Sequence, residues 1–404
     1  MTTHGLMRAF QKSLLLASLL LFSSLSGCLF EDDDSGGNGE ILAVFTFSPT
    51  SNIRAGDVIS FDGGDSTPGD GSLTYRWNFD SEGSIDIDAT GRTSEWSYDE
   101  AKTFSVTLTV SDGTRTAEQT RSITVVEATA QAPTASITQY HDDEDCEDEE
   151  IVENSNIVLW ICEFEKSNTD RAVSETKTVE LDASESSAGD SSQYITDWYW
   201  DLDLDDDKDN DGDSENDNDL AGETVDWANV APGEYEIGLT VLNDVGMTDS
   251  DTIRVYISYA GYWKDFEMGG NTSGNAQDLD FDVTIHYDKD VGNTISKATA
   301  ELEYPQEDDD WVASPGSSNR NKLDIYAFNE EDDEASNTSA TEPDSRDAGD
   351  CNDDEQDCVH LILSSYLFTE TDSTYGDGEW TFTIRNERFN DIAVDQFVIR
   401  LHYK

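Results

Sequence analysis

The chain has 404 residues, of which 89 are acidic and 23 basic, for a formal net charge of −66 at pH 7. A surface so negative excludes a nucleic-acid partner, which needs a basic face, whereas 36% hydrophobic and 10% aromatic residues supply packed cores and exclude a wholly disordered polyanion. At roughly 150 residues per domain the length fits two to three domains, and beyond the N-terminus no apolar run reaches the ~18 residues of a spanning helix.

Arg8 and Lys12 form a positive flank, Ser13 to Phe22 an apolar stretch, and Leu25-Ser26-Gly27-Cys28 follows. The last four residues resemble the lipobox of prokaryotic lipoproteins, in which the signal is cut before the cysteine and the thiol is lipidated. An ordinary secretory signal or a short anchor helix is the alternative reading. The resemblance implies a signal peptide over residues 1–27, a lipid on Cys28 and a mature protein anchored on the extracytoplasmic side of a membrane, at the cell surface. Residues 28–40, rich in Asp, Glu and Gly, read as a flexible tether that repels itself.

One pattern then occurs twice. Phe61-Asp62 is answered by Leu181-Asp182, Tyr75-Arg76-Trp77-Asn78-Phe79-Asp80 by Trp198-Tyr199-Trp200-Asp201-Leu202-Asp203, and Phe104, Val106, Leu108 and Val110 by Tyr235, Ile237, Leu239 and Val241. Apolar residues at every second position mark half-buried antiparallel strands. The offset between copies grows from 92 at Phe45 and Ile137 to 120 at Phe61, 123 at Trp77 and 131 at Phe104. The second copy therefore carries two insertions, a long one around residues 139–175 and one of eight residues after Trp200. Both are expected to be loops on a common scaffold.

These residues resemble the PKD (polycystic kidney disease) domain, an immunoglobulin-like β-sandwich of cell surfaces. Its F-D-A-S-x-S, Y-x-W-D-F-G-D-G and G-x-Y-x-V-x-L-x-V-x-D patterns appear in copy two as Leu181–Ser186, Trp198–Asp203 and Gly233–Val241. Copy one has Phe61-Asp62, Tyr75–Asp80 and Phe104–Asp112, and neither copy keeps the G-D-G turn. The resemblance implies two non-catalytic modules, over 41–127 and 132–258, with Trp77 and Trp200 in their cores.

Residues 259–404 read as a third antiparallel β-sandwich, with strands at 281–286, 323–328, 359–363, 379–384 and 397–401 and a long acidic loop from Asn329 to Asp357. The end of the chain is similar to the closing strands of the P-domain, a jelly-roll module appended to subtilisin-like and convertase proteases. The family's last-strand tryptophan is Phe397 here, and its G-x-L is Ala393-Val394-Asp395. The expected fold is thus all-β: two Ig-like, PKD-type sandwiches in tandem, followed by a jelly-roll-like one.

The chemistry is concentrated in Asp205 to Asp219, where nine acids and one lysine occupy fifteen residues. Asp207, Asp209, Asp211 and Gly212 fit the D-x-D-x-D-G core of a calcium loop, in which alternate carboxylates converge on one ion and glycine permits the turn. Asp213 and Glu215 take the next two ligand positions, and Asn218 stands where an EF-hand has a bidentate glutamate. The expected Ca²⁺ site is therefore weak, on the order of 10⁻⁴ to 10⁻³ M. A solvated acidic loop is the alternative, and it is the reading for the acid runs at 142–150 and 330–334.

Apart from Cys28, four cysteines form two local pairs, Cys146–Cys162 and Cys351–Cys358. Spacings of sixteen and seven do not fit zinc knuckles, so disulfides are expected in an exported chain. The chain has no H-E-x-x-H, no G-x-S-x-G and no phosphate loop, and His286 and His360 lie in strand-like stretches. The expected function is a non-catalytic surface protein in which two stalk or adhesion units present a C-terminal binding module. A polysaccharide- or protein-binding accessory of an extracellular hydrolase or transporter system is the alternative.

Overall fold

The computed structural model of the chain describes residues 41–69, 71–80, 87–142, 146, 156–206, 208, 214, 217–272, 274–288, 293–307, 320–341, 355–369 and 375–403. The signal, Cys28 and the tether lie outside them.

In the first repeat, small polar residues alternate with Phe104, Val106, Leu108 and Val110, so one face of the strand is buried and the other wet. Its strands are β1 (Thr46–Ser48), β2 (Ile59–Asp62), β3 (Thr74–Asn78), β4 (Ala89–Thr90), β5 (Thr93–Trp96), β6 (Thr103–Ser111) and β7 (Thr116–Thr124). They form two antiparallel sheets, ordered β1-β2-β5 and β4-β3-β6-β7. The core between them is aromatic. The Trp77 ring lies 5.2 Å from Phe45 and 5.6 Å from Phe61, and burial of each such side chain contributes about 1.5–3 kcal/mol. This core is closed on itself.

The second repeat is built from the same parts but is not closed. The early insertion supplies β8 (Ile157–Lys166) and β9 (Ala172–Val173). The repeat proper has β10 (Lys177–Asp182), β11 (Ile195–Asp201), β12 (Leu220–Ala221), β13 (Thr224–Val230), β14 (Gly233–Asn243) and β15 (Thr248–Met268). Expected as a loop, the insertion is instead a buried strand, because Ile157, Val158, Leu159 and Ile161 supply an apolar run that a loop could not hide from water. β8 runs parallel to β15 from Val255↔Ile157 to Trp263↔Lys166.

β15 is 21 residues long and belongs to two modules. Its first half pairs with β14, from Leu242↔Thr248 to Gly233↔Ile257. Its second half pairs with the last strand of the chain, from Tyr259↔Leu401 to Met268↔Ile392. The expected boundary between 258 and 259 falls in the middle of this strand. No Pro interrupts the run, Asp265 is carried in it at a φ of 54°, and Gly261 marks a close approach: a Cβ there would meet the Tyr259 hydroxyl at 2.3 Å.

The C-terminal sandwich adds β16 (Gln277–Ile285), β17 (Tyr287–Asp288), β18 (Asn293–Thr294), β19 (Lys297–Pro305), β20 (Leu323–Phe328), β21 (Glu334–Asn337), β22 (Gln356–Ser364), β23 (Gly378–Asn386) and β24 (Ile392–His402). One sheet, β12-β11-β14-β15-β24-β19-β22 with β8 alongside β15, crosses both modules; the facing sheet is β21-β20-β23-β16-β9. The acidic stretch after Asn329, expected to be a bare loop, begins with the edge strand β21, which pairs Tyr326 with Asn337. A single hydrophobic core runs from Ala135 through Trp200 and Trp263 to Tyr403. Trp77 and Trp200 are fully buried, as the PKD resemblance implies.

Polar contacts seal the junction. The Trp263 indole N–H donates to the Asp170 carbonyl at 2.8 Å, and the Tyr259 hydroxyl donates to Glu163 at 2.6 Å. Glu234, only 4% exposed, is held by Arg254 at 2.7 Å and by the Thr294 hydroxyl at 2.6 Å. Contact between the first and second repeats is smaller. Asn52 exchanges two 2.8 Å hydrogen bonds with the Thr248 backbone, beside an apolar cluster of Val126, Ala130 and Met247.

Candidate functional site

The acidic loop leaves the sheet at the end of β11 and returns at β12, the same place where the first repeat leaves β3 and returns at β4. The two corners share their hydrogen bonds. Trp77 donates its indole N–H to the Gly91 carbonyl at 2.9 Å, and Trp200 donates to that of Gly222 at 3.0 Å. Asp88 accepts the Phe79 N–H at 2.7 Å, and Asp219 that of Leu202 at 2.9 Å. Asn78 Oδ1 accepts the Asp80 N–H at 3.1 Å, and Asp201 Oδ1 that of Asp203 at 3.1 Å. Asn78 and Asp201 are therefore equivalent positions.

They differ in charge. Asp201 is 3% exposed and its Oδ2 has no hydrogen-bond partner. Burial, with Asp219 and Asp217 adding repulsion, pushes its carboxyl up to about 6. Asp217, 5% exposed, accepts the Lys208 backbone N–H at 2.6 Å. The Lys208 ammonium lies 2.7 Å from Asp219 Oδ1, and that hydrogen bond raises the lysine.

Of the calcium ligands expected from the sequence, Asp207, Asp209, Asp211, Asp213 and Glu215 lie outside the described residues. Asn218 is exposed on the returning limb. Among the described residues, Asp201, Asp217 and Asp219 stand at the base of the loop. The signal was present in the repeat alignment, as the exchange of Asn78 for Asp201 at a position with a tryptophan on its N-terminal side. Among the described residues no three acidic, histidine or cysteine side chains stand close enough to form a finished metal cage.

Cys146 and Cys162 form the expected disulfide, with Cα atoms 5.6 Å apart. The bridge pins the start of the insertion to β8, and the Tyr262 hydroxyl donates to the Cys146 carbonyl at 2.7 Å. Cys358 is disulfide-bonded, and Cys351 lies outside the described residues. His360 sits 3.6 Å from Glu301, which also binds Arg400 at 2.6 Å, while His286 is exposed beyond the end of β16. A cleft of about 400 Å³ beside β10 is lined by Thr138, Tyr140, Asp142, Leu159, Lys177 and Glu180. Lys177 already pairs there with Asp142 and donates to the Trp160 carbonyl at 2.7 Å.

The outer face of the five-stranded sheet is a second candidate surface. Even-numbered residues of β20 and β16 and odd-numbered residues of β23 point away from the core. Tyr326 and Phe328 stack with centroids 6.2 Å apart and planes 9° apart. The Arg385 guanidinium lies 4.3 Å over the Tyr326 ring and binds both oxygens of Asp278 at 2.7 and 2.8 Å. Thr383 donates to Asp280 at 2.7 Å, and Thr284 to Glu379 at 2.7 Å. Asp278, Asp280, Asp282 and Glu379 are exposed on this face and Phe328 is half-buried, whereas Tyr326 and Thr383 are buried beneath their partners.

Residues 44–126 match the PKD domain family, so the first repeat is a PKD domain by sequence as well as by fold. No curated protein matches the chain in sequence. Among solved structures, carbohydrate-binding modules of the β-sandwich superfamily align at 12% identity over 91% of this chain and 98% of theirs, with a TM-score of 0.21. The Bacteroides ovatus protein SGBP-B, solved with a mixed-linkage heptasaccharide, aligns at 11% identity over 92% of this chain and all of its own, with a TM-score of 0.17. Three N-terminal domains of the bacteriophage RB49 outer capsid protein Hoc align at 13% identity over 88% of this chain and 98% of theirs, with a TM-score of 0.20. Likeness at this level says nothing about the ligand of this chain. Among the described residues no helix is long and apolar enough to cross a membrane.

Proposed function

We propose that this is a non-catalytic, lipid-anchored cell-surface protein. Its PKD-type modules are stalk and adhesion units that hold the C-terminal sandwich toward an extracellular polysaccharide, with Ca²⁺ bound at the acidic loop. The observation that carries the reading is the outer face of the five-stranded sheet. The half-buried Phe328 ring can pack on the C–H face of a sugar, and the exposed carboxylates of Asp278, Asp280, Asp282 and Glu379 can accept from sugar hydroxyls. The shared strand β15 supports it, because a binding face fused to its neighbour is presented rigidly instead of swinging on a linker. The Leu25–Cys28 motif and the acidic tether support the anchor.

The test uses the mature protein against a panel of soluble and insoluble polysaccharides. Phe328→Ala and Arg385→Gln should each weaken binding at least tenfold while the melting curve stays native. Unchanged binding by both variants moves the ligand elsewhere, and hydrolysis of any polymer ends the non-catalytic reading. Cys28→Ser should release the protein from membranes into the medium, and fractionation identical to wild type refutes the anchor.

A further inference from the structure

The two repeats are an internal control for each other at one corner of the fold. In the first, the residue after the buried tryptophan is Asn78, and the loop beyond it is short. In the second, an isosteric carboxylate takes that place and the loop is eight residues longer. An ionised carboxylate buried without a partner is unfavourable, and an amide of the same shape would have avoided the penalty. Asp201 is 97% buried, its Oδ1 is committed to the Asp203 N–H, and its Oδ2 is unpartnered. Asp217 and Asp219 stand on the same corner, where Asp219 accepts from the Lys208 ammonium at 2.7 Å and Asp217 from the Lys208 backbone N–H at 2.6 Å. That ammonium belongs to a side chain 42% exposed, which can swing into solvent.

We propose that the base of this loop is a divalent-cation site, anchored by Asp201 Oδ2 with Asp217 and Asp219 beside it, in which the ion takes the place of the Lys208 ammonium. The ligand chemistry is all oxygen, which selects a hard cation, and Ca²⁺ tolerates such irregular carboxylate sets better than Mg²⁺ does. The three carboxylates are not yet gathered into a cage, so the ion draws Asp217 and Asp219 toward Asp201 as Lys208 leaves. The proposal rests on the calcium reading of the acidic loop, but it moves the anchor from the loop's interior to its base.

The experiment titrates the mature protein with Ca²⁺ at fixed ionic strength, following the melting temperature and the luminescence of Tb³⁺ sensitised by Trp198 and Trp200. Asp201→Asn, which restores the residue of the first repeat, should raise the melting temperature in EDTA and weaken Ca²⁺ and Tb³⁺ binding at least tenfold. Lys208→Met should tighten Ca²⁺ binding several-fold by removing the competing ammonium. If Asp201→Asn and Lys208→Met both titrate like wild type while an Asp207→Asn, Asp209→Asn, Asp211→Asn triple variant loses the response, the interior of the loop alone holds the ion. The assignment to the base is then overturned and the calcium loop survives. If wild type responds to Ca²⁺ no more than to Mg²⁺ or NaCl, both readings fall.

Discussion

The first and second repeats share a sequence pattern, a buried tryptophan and a corner with the same hydrogen bonds, yet only the first is a domain in its own right. Its core ends with its own strands. The second repeat's core continues without a break into the C-terminal sandwich, because β15 runs past the repeat and β8 pairs along both halves of it. One extended strand and one inserted strand are enough to turn a bead on a string into half of a larger body. The described residues therefore form two units: a PKD domain, and a fused body from about residue 132 to residue 403.

The sharpest way to break this comparison is to remove each tryptophan in turn. Trp77→Ala and Trp200→Ala should each cost about 3–5 kcal/mol, as for a large aromatic removed from a packed core. Calorimetry of wild type should show two transitions. Trp77→Ala should lower only that of the PKD domain, whereas Trp200→Ala should lower that of the whole fused body as one step. A third transition in the Trp200→Ala scan would mean that the second repeat melts independently.

A smaller effect is expected from the acid limb. Burial first, then the charges of Lys297 and Arg400, hold His402 down to about 4, against an opposing pull from Glu301; Trp160 packs edge-on against the ring. The unfolded chain takes up this proton near 6.5 and the folded one only near 4. Stability of the fused body should therefore fall as pH drops through that window, by up to about 3 kcal/mol at roughly 1.4 kcal/mol per pKa unit. The PKD domain contains no histidine and serves as the reference. His402→Gln should flatten the difference in denaturant midpoint between pH 7 and pH 4.5; an unchanged slope would assign it to carboxylates.

The smallest and most local change is reduction of the Cys146–Cys162 bridge, or Cys162→Ser. A loop of this length is worth about 3 kcal/mol at most in the chain-entropy model, less where the reduced state keeps structure. The loss should appear in the fused body alone, since the bridge packs within that body, against β15 and Val398 of β24. An equal shift in the PKD domain would show that the two units are coupled through the Asn52–Thr248 contact more strongly than two hydrogen bonds allow.

Much of this architecture was legible before any coordinates. Alternation at Phe104–Val110 and Tyr235–Val241 reports which side of a strand faces a core, and that information is local, so the all-β class and the repeat could be read from it, while the burial of Trp77 and Trp200 followed from the resemblance to the PKD domain. The spacing of Cys146 and Cys162 likewise fitted a short loop that a disulfide could close. What alternation does not encode is the partner. Residues 157–161 have the composition of a buried strand, but their pairing with β15 joins positions about a hundred residues apart, and nothing in the local pattern points to them. The same holds at residue 258, where the sequence changes repeat type while the backbone hydrogen-bond ladder simply continues onto β24. Asp201 shows the limit most plainly. An Asp for an Asn is an unremarkable exchange in so acidic a chain, and only its burial, with Oδ2 facing no donor, gives it chemical meaning.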